Sequence, residues 1–299
     1  FGLVLLALLT LPGCDLAAFG AKSVGNLTAR GAGGVGEHWD YELIRDGLAG
    51  GILRLEGLYR VAPDDHNLRL QLVRGYVSYG WAFLEDEIEE LEANYQYEEA
   101  EPLRRRTALL YERAIQVGRT LLADMGDGFD EASEDAETLT RWLNEHADDE
   151  EDAVVLFWVG YAFALSLTIE QDPADLLRLP VAEAFVERSV ELYPSYFNYA
   201  GTTTLAVIAA SLPDAAGGDA ERARELFERV LTETERVSLT VQYNYARTYA
   251  VKTGNRELFD SLIQEVVEAG DVSGENRFSN KIARRRARRL RAQADELFY

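Results

Sequence analysis

A single thiol, two runs of carboxylates and one run of guanidinium groups are what this chain of 299 residues offers for chemistry. The thiol is Cys14, the only cysteine, which excludes an intrachain disulfide and a cysteine-built zinc site. It closes the segment Leu11-Pro12-Gly13-Cys14. The first carboxylate run spans Glu85 to Glu101 and the second spans Asp127 to Asp152, where Arg141 is the only Lys or Arg. A calcium loop needs oxygen ligands at alternating positions. Asp124-Met125-Gly126-Asp127-Gly128 places glycine where ligands should stand. Both runs are therefore expected to be solvated, one as a helix face and one as a long acidic loop. The basic run is Lys281 to Arg291, with Lys281, Arg284, Arg285, Arg286, Arg288, Arg289 and Arg291. Ile282, Leu290, Leu297 and Phe298 lie in and after it, so it reads as a basic C-terminal helix packed on the body, its arginines facing the acidic surface.

No enzyme constellation appears. G-x-S-x-G, H-E-x-x-H and S-x-x-K are all absent. His38, His66 and His146 have no nearby motif and read as surface or capping residues, so no metal site is expected. Gly31-Ala32-Gly33-Gly34-Val35-Gly36 is a literal G-x-G-x-x-G, but a dinucleotide fold needs a strand before it. Ser23 to Thr28 is no buried strand, and no cofactor is expected. The formal net charge is -22, which a duplex repels, so nucleic acid is excluded as a partner.

The elements that must position these groups are helices. Residues 1–14 form an uncharged apolar run, too short to span a bilayer and of the length of a signal-peptide core. With no initiator Met and no basic stretch ahead of it, the run is expected to be a truncated lipoprotein signal peptide, and Leu11-Pro12-Gly13-Cys14 resembles a lipobox. Lipid at Cys14 would anchor the protein stably, and Asp15 directly after it points to the inner membrane. Residues 15–36 are rich in Gly, Ala, Ser and Thr and read as a tether.

From residue 37 to residue 299 the apolar spacing is helical throughout. Leu48, Ile52, Leu55 and Leu58 form one stripe, and Leu68, Leu72, Tyr76 and Tyr79 another. Strand patterns are nearly absent, and most prolines fall where helices should end or begin. The chain is expected to be all-α. A small residue, a bulky one four later and a small one three later mark the second helix of a tetratricopeptide repeat. Ala182, Val186 and Ser189, followed by Pro194, fit this spacing. Thr107, Tyr111 and Ala114 fit it without the proline, as do Ala223, Phe227 and Val230. Val159-Gly160 with Phe163 resembles a first helix. The small residues let two helices approach, and the bulky one plugs the gap. The expected architecture is a single domain of degenerate tetratricopeptide-like helical hairpins.

Aromatic residues supply the binding candidates, since tyrosine joins an apolar ring to a polar tip. Most should be core plugs. Trp158, Tyr161, Tyr196, Tyr199, Tyr245 and Tyr249 are the residues proposed to line a ligand channel.

These features in this order resemble the T-component lipoproteins of TRAP transporters, the tripartite ATP-independent periplasmic uptake systems. The resemblance runs from the lipobox through Leu58-Tyr59-Arg60-Val61-Ala62-Pro63, Leu72 to Tyr79 and Leu110-Tyr111-Glu112-Arg113-Ala114. It continues through Pro194-Ser195-Tyr196 and Gly217-Gly218-Asp219 to Thr248-Tyr249-Ala250-Val251 and Asn280-Lys281-Ile282-Ala283. It implies a non-enzymatic periplasmic lipoprotein, membrane-anchored and trimeric. It also implies a periplasmic substrate-binding protein as partner, and an apolar channel for a hydrophobic small ligand. The acidic segment 127–152 departs from that pattern. The alternative reading is a generic tetratricopeptide scaffold lipoprotein for envelope or secretion-complex assembly, gripping a peptide or helix in its groove.

Overall fold

The structure is a computed structural model that describes residues 16–170, 172–213, 217–271 and 274–298, and Cys14 lies outside them. Among the described residues there are helices and no strand. In chain order they are α1 (Leu16–Gly31), α2 (Gly33–Gly36), α3 (Tyr41–Val61), α4 (His66–Tyr79), a π-helical turn (Gly80–Leu84), α5 (Glu85–Ala93) and α6 (Tyr97–Met125). Then come α7 (Phe129–Ala132), α8 (Ala136–His146), α9 (Glu150–Ile169), α10 (Pro173–Leu176), α11 (Leu179–Leu192) and α12 (Tyr196–Ser211). The last are α13 (Ala220–Glu233), α14 (Leu239–Tyr245), a second π-helical turn (Ala246–Ala250), α15 (Arg256–Glu268), α16 (Arg277–Ala292) and α17 (Ala294–Leu297).

Part of the negative charge does local work at helix starts. Asp40, Asp65, Asp135, Asp149 and Asp219 accept backbone N–H groups from the first turns of α3, α4, α8, α9 and α13. A carboxylate there satisfies orphaned donors and meets the positive end of the helix dipole, for about 0.5–2 kcal/mol each. Asp135 and Asp149 belong to the acidic segment expected to be a long loop. The structure corrects that expectation. Residues 136–146 are helical because Leu139, Trp142 and Leu143 repeat at i, i+3, i+4 and bury themselves in the core. The Trp142 indole donates to the Asp127 carbonyl at 2.8 Å, which closes the segment onto itself.

The part of the expected tether that is described, residues 16–36, differs as well. Most of it is α1, which docks on α3 and α4 through Ala21 and Gly25. A Cβ on Gly25 would meet the Leu68 side chain at 2.8 Å. The G-x-G-x-x-G stretch forms the end of α1 and the short α2, with helix rather than strand before it.

Among the described residues, two large apolar cores and three smaller clusters fill the molecule. The first gathers residues of α3, α4, α6, α8, α9 and α11. The second gathers α12 to α17. Helix α9 is long and apolar enough to cross a bilayer, but here α4, α6 and α11 pack around it. Helices α9 and α11 run antiparallel. Ser189 donates to the Ala153 carbonyl at 2.7 Å, and Gly160 faces Phe185 further along. A Cβ on Gly160 would lie 2.6 Å from the Phe185 Cβ and 3.3 Å from the Ala182 carbonyl. The close approach read from Val159-Gly160 and Ala182 is thus physical. Gly160→Val is expected to lower the unfolding free energy by about 1–3 kcal/mol through overpacking. An unchanged urea midpoint would contradict this packing.

Candidate functional site

The two halves meet through an apolar cluster of α9, α11 and α12 and along a charged seam. Its acidic side is α5. The π-helical turn Gly80–Leu84 leads directly into it, and one added residue in a turn swings the following side chains by about 100°. Its basic side is α16. Asn280 anchors that helix, accepting from the Leu239 N–H and donating to the Val237 carbonyl, each at 2.8 Å. Glu85, Asp86 and Glu89 then face Arg285, Arg286 and Arg289.

The geometry is dense. Asp86, 1% exposed, accepts from Arg285 Nε at 2.9 Å and the Tyr41 hydroxyl at 3.0 Å, and pairs with Arg289. Glu89 lies 3.2 Å from Arg289, and 3.4 Å from both Arg286 and Arg247. The Arg286 guanidinium sits 4.9 Å from the Trp81 ring centre, and Arg285 sits 4.4 Å from that of Tyr41. The expectation of a solvated face is corrected for Glu85, Asp86 and Glu89, which meet the arginines of the basic helix as its packing on the acidic surface implied, while Glu87, Glu90, Glu98, Glu99 and Glu101 stay exposed.

Burial and charge shift these groups differently. Burial pushes Asp86 up, but Arg289, Arg285 and Arg286 outweigh it and hold the carboxyl below its usual range. Its neighbour Glu85 is raised, because burial outweighs the help of Arg286 and of the Tyr111 hydroxyl. Burial also raises the Tyr161 hydroxyl, with the charge of Glu85 adding to it.

Beside the seam opens a cleft of about 520 Å³. Glu89, Tyr243, Arg247, Arg286, Arg289 and Leu290 are among its walls, so it mixes apolar surface with charge. Arg247 and Thr248 reach it from the second π-helical turn.

A second feature is aromatic. Phe197, Asn198 and Tyr199 stand consecutively in the left-handed region, at φ 47°, 56° and 60°. Such a conformation costs roughly 1–2 kcal/mol for each non-glycine residue and persists only where its surroundings enforce it. Asn198 donates to the Asn276 side chain at 2.8 Å, and the Tyr199 hydroxyl donates to Glu233 at 3.0 Å. Around this turn stand Phe157, Trp158, Tyr161, Tyr196 and Phe197, with ring centres 5.2 to 6.4 Å apart. The Trp158 indole donates to the Tyr196 hydroxyl at 2.8 Å. Arg74 covers the indole at 5.3 Å.

The six residues expected to line one channel fall into two groups. Trp158, Tyr161 and Tyr196 share the aromatic cluster. Tyr245 and Tyr249 belong to the second core, where Tyr245 stacks on Phe227 at 4.7 Å and donates to Glu228 at 3.0 Å. Tyr199 ends the left-handed turn and packs against that second core. None of the six lines the 520 Å³ cleft. Tyr243 does, because two residues along a helix turn a side chain by about 200°, so Tyr243 and Tyr245 face opposite ways. Sequence reasoning set the arginines of 281–291, Arg286 among them, against the acidic surface that holds Glu89, but it did not read the cleft that these two line with Tyr243 and Arg247. A signal was present: 85/86/89 and 285/286/289 carry opposite charge at identical spacing. For metal, Asp148, Asp149 and Asp152 bring carboxylate oxygens within 4.8 Å of one another. Capping explains that cluster, since Asp149 accepts from the Asp152 N–H and Asp152 from the Asp148 N–H.

Fold and site together define an all-α protein of packed helical pairs, with a charged seam and a cleft between two halves. The chain matches the model of the TRAP transporter T-component family over residues 37–298, and it belongs to that family. Its role is therefore that of an accessory component of a transport system. An uncharacterized protein of Treponema pallidum (strain Nichols) is 25% identical to it over 268 residues, covering 88% of this chain and 81% of that protein.

Proposed function

We propose that this protein is a lipid-anchored periplasmic component of a TRAP-type uptake system. It docks a periplasmic substrate-binding protein and shelters a small, largely apolar ligand during transfer. Cys14 carries the anchor, and the protein works as a homotrimer by binding rather than catalysis. Family membership supports the accessory role. The observation that carries the ligand reading is the aromatic group held around Phe197, Asn198 and Tyr199. Backbone strain concentrated beside rings that run from the buried Phe157 and Trp158 to the exposed Phe197 is a mark of binding sites. Arg74 over Trp158 gives the ring cluster one polar edge, suited to orienting a ligand whose body lies against the rings.

Native mass spectrometry of the gently purified protein tests this. A trimer carrying a small bound mass is expected. Tyr161→Ala and Tyr199→Ala should each lower the retained fraction about tenfold, the effect of roughly 1.4 kcal/mol of lost contact. Equal retention in both variants, with far-UV helicity intact, would remove these rings from the site. A bare monomer would remove the ligand and trimer readings together.

A further inference from the structure

Helix α1 has its amphipathicity turned outward. It sets its small residues, Ala21 and Gly25, against its own protein. Its large apolar residues face away: Leu16 is 79% exposed, Phe19 70% and Leu27 68%. Leu16 and Leu27 lie 11 residues apart, close to three full turns, so they share one line along the helix with Phe19 beside it. Val24 is exposed too.

The charge of this segment is equally out of keeping with the chain. Residues 16–36 contain Lys22 and Arg30 and no Asp or Glu, although the whole chain holds 52 acidic residues. A protein of net charge -22 is repelled by an anionic surface at almost every approach. Only a segment without carboxylates can rest there. Exposed Leu and Phe flanked by Lys and Arg is the pattern of a helix lying in the headgroup region of a bilayer. A second copy of the chain is a poorer occupant, since pairing two such faces brings like charges together.

We infer that α1 is a membrane-surface helix that lays Leu16, Phe19, Val24 and Leu27 into an anionic bilayer. The inference deepens the anchored reading. The two peptide units from Cys14 to Leu16 span at most about 7 Å, so a lipid on Cys14 would deliver α1 to the bilayer surface. One acyl signal plus one amphipathic helix holds a protein more firmly than either does alone. The orientation rests on that reading, but the face of α1 does not.

Binding to phosphatidylglycerol vesicles by flotation tests the helix without the lipid. The packing described for α1 lies within residues 16–298, so the chain is used from Asp15 onward, without the thiol. The parent should float with the vesicles. The double variant Phe19→Glu/Leu27→Glu should lose at least about tenfold in partitioning, with unchanged far-UV helicity because both positions are solvent-facing. Lys22→Glu/Arg30→Glu should lose binding to anionic vesicles in the same way. A parent that stays in solution, or a Phe19→Glu/Leu27→Glu variant that floats as well as the parent, overturns the inference. So does a parent that fails to float but self-associates in sedimentation through Phe19 and Leu27, which would assign the face to a second copy. Because Cys14 is absent, failure here leaves the lipid anchor standing. Absence of acyl mass on the native protein would in turn leave this vesicle result standing.

Discussion

Replacing Asp86 by alanine is expected to lower the unfolding free energy by about 3–5 kcal/mol, the cost of removing one partner from a buried charge cluster. Asp86 is almost wholly buried and meets Arg285, Arg289 and the Tyr41 hydroxyl. Without it, Arg285 is left among the described residues with Glu90 at 3.8 Å and the face of the Tyr41 ring. Arg286 and Arg289 crowd onto Glu89, which Arg247 already shares. The pH dependence follows from the direction of its shift. A carboxyl lowered in the folded state adds stability that is present above its unfolded value, near 4. That stability is lost as pH falls through the lower folded value. The difference between parent and Asp86→Ala should therefore be full near neutral pH and shrink in acid, below about pH 4. Glu85 has the opposite sign. Its raised value in the folded state means that its burial opposes folding once pH rises past the unfolded value. Glu85→Gln should therefore cost less than about 1 kcal/mol near neutral pH, because an amide oxygen still accepts from Tyr111. Urea titrations across the pH range check both. Equal losses at the two neighbouring positions would contradict the seam.

The second large effect lies in the other half. Phe227→Ala should cost about 3–5 kcal/mol. The ring is fully buried, stacks on Tyr245 at 4.7 Å and fills the space between α13 and α14. The loss combines the transfer free energy of the ring with the cavity left behind. Leu109→Ala is the matched control. Leu109 is 65% exposed, and its truncation should change stability by no more than about 0.5 kcal/mol. A Phe227→Ala loss as small as the control would mean that the second core does not form around this ring.

Phe227 also shows how much the sequence disclosed. Its small–bulky–small setting, Ala223, Phe227 and Val230, marked it as a plug, and all three are fully buried. Thr107, Tyr111 and Ala114 behave alike, as do Ala182, Val186 and Ser189. These patterns are local, since a helix face is written in residues three and four apart. The seam is not local. Asp86 and Arg285 stand 199 positions apart, and a carboxylate run read without its partner looks like a solvated face. Helix α8 was hidden because Leu139, Trp142 and Leu143 are outnumbered by acidic neighbours, although three apolar residues suffice to seat a short helix. The left-handed turn carries no glycine to announce it. Phe197 and Tyr199 hold it through packing and Asn198 through a distant amide, which no spacing rule detects. The candidate rings were therefore visible individually, while their division between two cores was not.

The central claim is that this chain serves a TRAP uptake system by docking its soluble binding protein. The direct measurement is calorimetric titration of the purified protein with a periplasmic substrate-binding protein of a TRAP system from the same cell. Saturable binding at a fixed stoichiometry, one binding protein for each protomer or for each trimer, is the predicted result. No heat and no co-migration in sedimentation, with the binding protein both empty and substrate-loaded, would contradict it.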